Sequence, residues 1–369
     1  MDGLTHAAVG AAVGEIMCGK RMGNLALAWG ALFGIAPDVL DGLVAVALST
    51  SGKLAQQHGA SHSLLLVALL TIVLPPWLVK RWKRGKVTRH QATGFVGLVW
   101  GTHLLVDCLT VRGAQVLWPY PAGAAALGLL GDDDGWFTTP LVVSMVCLPF
   151  LRTKKEQAKR RRLWRWGVGL SGGYVALALV AKWVAAAGFA VDLARRGTPY
   201  ERRLESPTPW NILLWRGVVD GGDEIRVGYR SVFEWHSTPV RWTVYPRNRE
   251  AFATVADTRE GQRLAAYTGG WWIARPNKTG VWLADLHGGE HRVWGERKGM
   301  VDTRLKCAWQ LEPAATGDPL RPIIPERKNS GELTRRLLWR TLGKRDAWDA
   351  IPRLAGVPGA LPELLQVEE

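Results

Sequence analysis

Histidine and aspartate recur in pairs three or four residues apart, in or beside apolar stretches of this chain: Asp2/His6, Asp38/Asp41, His58/His62 and His103/Asp107. Residues at that spacing share a helix face, so each pair can aim two side chains at one point. Imidazole and carboxylate together form the ligand set of zinc and other first-row divalent ions. Charged side chains at the centre of a membrane helix cost roughly 2.5–3.5 kcal/mol each on insertion scales, so several at one depth need mutual compensation. A bound cation supplies it.

The elements that must carry these pairs are apolar runs concentrated before about residue 190 of a 369-residue chain. Asn24 to Ser49, His62 to Val79, Gln91 to Leu109, Trp136 to Leu151 and Trp166 to Ala190 approach or reach the roughly 17–25 residues that a membrane helix needs. Gly3 to Cys18 is shorter and rich in Ala and Gly; it lacks a basic leader and carries His6 and Glu15, which argues against a cleaved secretory signal. The four cysteines show no paired spacing, and no disulfide framework or cysteine zinc ribbon is implied.

The net charge of +15 is explained by its location. Lys80, Arg81, Lys83, Arg84, Lys86 and Arg89 fill one short loop between apolar runs, and Arg152, Lys154, Lys155, Lys159, Arg160, Arg161, Arg162 and Arg165 fill another. Short basic loops mark the cytoplasmic side and attract membrane lipids of negative charge, so no nucleic-acid partner is expected. With both loops inside, a rise of about 1.5 Å per residue puts Asp38, His103 and Asp107 in the outer half of a core roughly 30 Å thick. His58 and His62 fall at the outer mouth of the next run, and Asp2 and His6 begin the first. His90, beside the basic loop, reads as a solvated residue.

The expected fold is an α-helical multi-pass membrane domain of about five or six membrane helices over residues 1–195, followed by a small, mainly β extracytoplasmic domain over 198–312. Strand character is read in Ile225 to Phe233, Val240 to Tyr245, Arg263 to Ile273 and Val281 to Leu286, between Gly, Asn and Pro turns. Residues 313–369 read as a loosely ordered tail in which Glu332 to Leu342 alternates Arg with Leu and Trp as an amphipathic helix does. His236, His287 and His291 show no partner in the pattern and read as surface or structural residues.

Several phrases occur in a recognisable order: Met1-Asp2-Gly3-Leu4-Thr5-His6, Pro37-Asp38, His58 through Ser61-His62-Ser63, and His103-Leu104-Leu105-Val106-Asp107 followed by Thr110, Gly113 and Leu117-Trp118-Pro119. Asp134-Gly135-Trp136-Phe137-Thr138 and Ser206-Pro207-Thr208-Pro209-Trp210-Asn211 with Leu214-Trp215-Arg216 continue it. Together they resemble the YdjM-type family, described as LexA-binding, inner-membrane-associated metal-dependent hydrolases. The His-x-x-x-Asp element is also similar to that of zinc-dependent phospholipase C enzymes. Two positions depart from the family pattern: Asp41 stands three residues after Asp38 rather than two, and Gly59 replaces an arginine, removing an anion contact.

The resemblance implies a bacterial inner-membrane hydrolase and strengthens His6, Asp38, His62, His103 and Asp107 as metal ligands, over Asp2 and Asp41. His58 is a ligand or a supporting contact and a candidate catalytic residue; Asp134 is a candidate general base or second-metal ligand, or else a helix cap. A divalent ion, zinc or alternatively manganese, lowers the pKa of a bound water from about 16 toward about 7. The expected substrate is a phosphoester or lipid-linked group at the extracytoplasmic face, entered beside Trp118, Pro119, Tyr120 and Pro121. A divalent-metal transporter or sensor, or a non-catalytic membrane assembly protein, is the alternative. A LexA contact follows from the family description alone and sits poorly with an outward β domain.

Overall fold

The computed structural model describes residues 1–294, 300–323, 331–348, 351–354 and 366–368. They form two compact units, one of Met1–Ala47 with Gln56–Leu179 and one of Leu48–Ala55 with Val180–Glu369.

The first unit is helical. Helix α1 (Gly3–Met22) starts where the Asp2 carboxylate accepts the Thr5 N–H at 2.9 Å, and it stops at Gly23, whose φ of +56° lets α2 (Asn24–Val46) begin at once. Gly10-x-x-x-Gly14 on α1 faces Gly30-x-x-x-Gly34 on α2. A Cβ at Gly10 would collide with the Gly30 carbonyl oxygen, one at Gly14 with that of Ala26, and one at Gly34 with that of His6. The two backbones touch, as small residues one turn apart allow. After α3 (Thr50–Gln56), which joins the second unit for most of its length, come α4 (Leu64–Arg81) and α5 (Arg89–Cys108). Helix α5 opens with a Thr88/Gln91 capping box and buries Ala92, Phe95, Val96, Val99, Trp100, His103, Leu104 and Asp107 along one face. Helix α6 (Gly135–Cys147) follows the long 109–134 loop, and α7 (Gln157–Arg196) runs 40 residues.

Three helices among the described residues are long and apolar enough to cross a membrane: α2, α4 and α7. By length and composition these three, of the expected five or six, are candidate spans. Helix α6 with its following turn is apolar but short, while α1 and α5 carry the Gly, Ala and polar residues of an interior. One expected basic-loop charge lies inside. Arg160 is buried and binds Glu15 through Nε (2.7 Å) and Nη2 (2.6 Å), while its Nη1 donates to Asn24 Oδ1 and to the Leu148 and Leu151 carbonyls.

The second unit contains two sheets. Strands β1 (Arg202–Thr208), β2 (Asn211–Asp220), β3 (Glu224–Ser231), β4 (Trp242–Pro246) and β10 (Gln366–Glu368) pair antiparallel in that order. The second sheet runs β5 (Trp272–Pro276), β6 (Val281–Trp294), β7 (Met300–Leu311), β8 (Leu320–Ile323), also antiparallel, with β9 (Ile351–Leu354) parallel to β7. Leu214, Val218, Ile225, Val227 and Tyr245 of the first meet Ile273, Trp282, Ala284 and Leu286 of the second in one core. The outer face of the first sheet packs Trp215, Val219 and Trp242 on Ala181, Ala185, Phe189 and Leu193 of α7. The outer face of the second is covered by α8 (Arg249–Ala253) and α9 (Arg259–Thr268).

The expected strand Arg263 to Ile273 is mostly helix α9: Thr258 caps it, Glu260 sits in its first turn, and Gly269 at φ +54° ends it. In the 313–369 stretch, β8, β9, β10 and α10 (Gly331–Thr341) join this unit, whereas 324–330, 349–350, 355–365 and 369 lie outside the described residues, as does the side chain of His291. His90 and His236 are exposed and His287 is half-buried.

Two consequences can be measured. Gly30→Ala pushes a methyl into the Gly10 carbonyl and should cost about 1–3 kcal/mol, read as a lower melting temperature in detergent. In the β unit, burial would raise the Asp220 carboxyl, but Arg247 (2.8 Å), the Gly222 N–H (3.1 Å) and Arg202 (3.0 Å) outweigh it and hold it below its ordinary 3.8. Its stabilisation is therefore complete above that value and lost as pH falls through the lower folded value. Asp220→Asn should destabilise by roughly 3 kcal/mol at pH 7, with the gap to wild type shrinking in acid.

Candidate metal centre

Four elements deliver the site. His6 lies in the first turns of α1, Asp38 in the second half of α2, His62 in the short 3₁₀ turn Ala60–His62 before α4, and His103 with Asp107 in the last turns of α5. His62 Nε2 and His103 Nε2 are 2.9 Å apart. Asp107 Oδ2 is 3.2 Å from His103 Nε2 and 3.4 Å from His62 Nε2, and Asp38 Oδ1 is 3.7 Å and 3.4 Å from the same two atoms. His6 stacks on His103 with ring centroids 3.7 Å apart and puts Nε2 3.0 Å from Asp107 Oδ1. The Met1 amine nitrogen is 2.7 Å from that oxygen.

The hydrogen-bond network assigns the tautomers. His103 Nδ1 is 2.7 Å from the Gly34 carbonyl, which can only accept, so Nδ1 carries the proton and Nε2 a lone pair. Ser61 Oγ gives its one proton to the Asp41 carboxylate, so at 2.7 Å His62 Nδ1 must donate to it, and His62 Nε2 also presents a lone pair. Two lone pairs 2.9 Å apart, with two carboxylate oxygens beside them, repel unless a cation, proton or metal ion, lies between. Asp107 Oδ2 and His6 Nδ1 are buried and make no hydrogen bond among the described residues.

Three overlapping groups could hold a metal ion: His6, Asp38 and His103; Asp38, His58 and His62; His62, His103 and Asp107. The donor set, imidazole nitrogen with carboxylate oxygen, suits a first-row divalent ion. The histidine and Asp107 side chains here are at most 1% exposed, whereas Asp38 is 31% exposed, so the site opens past Asp38.

The remaining candidates take other places. Asp2 caps α1. Asp41 accepts from the His58 N–H (2.9 Å) and Ser61, and so supports His62 from behind. His58 sits at φ +50° and donates Nδ1 to the Gly113 carbonyl at 2.8 Å; burial holds its pKa below the ordinary value. Asp134 caps α6 by accepting the Trp136 and Phe137 N–H groups and takes the Tyr174 hydroxyl at 3.1 Å. Burial raises its carboxyl, and it belongs to none of the three groups. The sequence reading passed over Ser61, though it adjoins His62, and the Gly34 carbonyl, which no side-chain pattern could reveal. Ser61→Ala should keep the fold but free the His62 tautomer, weakening zinc binding in a calorimetric titration by about 10- to 100-fold.

No curated protein and no solved structure matches this chain. The family described as YdjM inner membrane protein matches residues 1–187, a stretch containing His6, Asp38, His58, His62, His103, Asp107 and Asp134. With just over half its length covered by that match, and with apolar helices around a buried His/Asp cluster, the chain belongs to the YdjM inner membrane protein family.

Proposed function

We propose that the protein is a membrane-bound metal-dependent hydrolase acting on a phosphoester or lipid-linked substrate at the extracytoplasmic face. The observation that carries this reading is the convergence of His62, His103, Asp107 and Asp38 with one open side at Asp38. A divalent ion held there supplies an acidified water and polarises a phosphoryl or acyl oxygen.

The chain's own residues divide the work. His62 and His103 present lone pairs fixed by Ser61 and the Gly34 carbonyl, and Asp107 and Asp38 neutralise the ion's charge. His58, neutral and with Nδ1–H committed to Gly113, has Nε2 free to take a proton from water, which makes it a better general base than the capped Asp134. Zinc is the favoured ion and manganese the alternative.

Charge supports an outward site. Lys20 and Arg21 end α1, Lys80 and Arg81 end α4, and Arg89 begins α5, each at the opposite end of its helix from the site residues. With basic ends read as cytoplasmic, the site would face away from the cytoplasm, and the chain after α7 is proposed to be extracytoplasmic. A transport pathway would need polar groups continuing inward, but Glu15 there is tied to Arg160. The LexA contact gains no support from an outward β unit.

Metal analysis of detergent-purified wild type, His103→Ala and Asp107→Ala, with a phosphodiester and phospholipid hydrolysis screen, tests the proposal. Wild type should hold a divalent ion and hydrolyse at least one substrate, and both variants should lose ion and activity. Undiminished metal in both variants would sink the site; bound metal with no hydrolysis by wild type would turn the reading to transport or structure.

A further inference from the structure

The β unit exposes large apolar side chains at one end. Trp235 is 83% exposed, Trp210, Phe233, Leu338 and Leu342 are each exposed by around 60%, and Trp339 by 41%. Leu338 and Trp339 lie on one side of α10, and Leu342, the first residue after it, continues the i, i+1, i+4 spacing of that side. The opposite face, Leu337, Arg340 and Thr341, is the one turned to the protein. Helix α10 thus turns large apolar side chains outward while Arg340 and Thr341 face inward.

The other three aromatic residues are tied to the same end. Asn211 Nδ2 donates to Thr341 Oγ1, Ser231 Oγ to the Thr341 carbonyl, and Arg340 pairs with Glu234 at 2.6 Å. The loop after β3 is not slack: the Arg230 guanidinium donates to the Glu234, Trp235 and Thr238 carbonyls, with its stem lying where a Cβ of Gly188 would be. Trp210 is held at φ +58°, an uncommon conformation for a bulky residue. A rigid frame therefore keeps these rings in the open.

The same frame rests on α7. Its Ala181, Ala185, Phe189 and Leu193 face is buried by the first sheet, while Val180 and Trp183 on the other side are exposed, as on a lipid-facing helix. Arg195 donates to the Ser237 carbonyl of the aromatic loop at 3.1 Å, about 18 Å along the helix from Trp183. Around the patch stand Arg335, Lys344, whose Nζ is 3.7 Å from the Trp339 ring centroid, and Arg345. Glu234, a carboxylate of the aromatic loop, pairs with Arg340.

We propose that this face is a membrane-docking surface, inserting Trp210, Phe233, Trp235, Leu338, Trp339 and Leu342 at the headgroup level of an anionic phospholipid bilayer, the one that α7 crosses. Tryptophan favours that level, basic side chains add attraction to anionic headgroups, and attachment to α7 makes the contact intramolecular in effect. A soluble protein partner would lack that continuity with the span.

The test reconstitutes the full chain in nanodiscs of POPC, with and without POPG, doped with a phospholipid bearing a diazirine near its headgroup, and maps photoadducts by mass spectrometry. Adducts should fall on 208–212, 231–238 and 334–344 as well as on α4 and α7, and rise with POPG. Phe233→Ser/Trp235→Ser/Leu338→Ser/Leu342→Ser should lose the β-unit adducts and keep those on α4, with unchanged melting in detergent because all four side chains are exposed. Arg335→Gln/Lys344→Gln should cut the POPG-dependent rise by about fivefold per charge and leave the POPC level alone. Adducts confined to α2, α4 and α7, or β-unit adducts unaffected by the serine variant, would overturn the proposal. So would a protein-protein crosslink between copies that captures these peptides in place of lipid. Adducts missing from α7 itself would overturn the span on which the proposal rests.

Discussion

At Gly10, Gly14, Gly30 and Gly34 the backbones of α1 and α2 meet with no side chain between them, and the His/Asp cluster depends on that approach. Gly34 lies against the His6 carbonyl and at the same time offers its own carbonyl to His103. The contact that brings α1 in also sets the orientation of a ring on α5. Separate the two helices by a methyl group and His6 leaves its stack on His103 while the carbonyl that fixes the His103 tautomer shifts. Packing in a membrane interior works through such close approach, because apolar side chains gain little there by leaving lipid.

Much of the candidate site could be read in the sequence, because ionisable residues within apolar runs are costly and so conspicuous. His103 and Asp107 do share a face of α5 and a common target, as their spacing implies. The same argument overreached for Asp2/His6 and Asp38/Asp41. Helical spacing guarantees a shared face but not a shared partner: Asp2 turns back to cap its own helix, and Asp41 points to Ser61 behind His62. A backbone acceptor such as Gly34 leaves no trace in residue types. Asp134 carried two readings from the start, and the free N–H groups at the beginning of α6 and the Tyr174 hydroxyl occupy its oxygens.

Of the expected five or six spans, three are long and apolar enough among the described residues to be candidates. Helices α1 and α5 are interior to the bundle and hold small and polar residues because other helices cover them, so their composition understates how deeply they sit. Charge counting had a parallel limit. Arg160 is one of a run of basic residues in the sequence, yet it is buried and forms a fork on Glu15 that also ties together the start of α2 and the end of α6. In the β unit, Arg263 to Ile273 reads as a strand by residue type, while the Thr258 cap and Gly269 stop decide for helix.

Within the set His6, Asp38, His62, His103 and Asp107, the other four side chains are at most 1% exposed and Asp38 is 31% exposed. That asymmetry bears on time as well as on chemistry. If a divalent ion binds here, Asp38 would be the carboxylate that offers it an accessible oxygen, and His62, His103 and Asp107 would be the donors that hold it away from water. Exchange of such an ion would then depend on a side chain carried by a proline-containing helix, and a chelator would approach from the Asp38 side. Affinity belongs to the buried donors, and residence time to the exposed one.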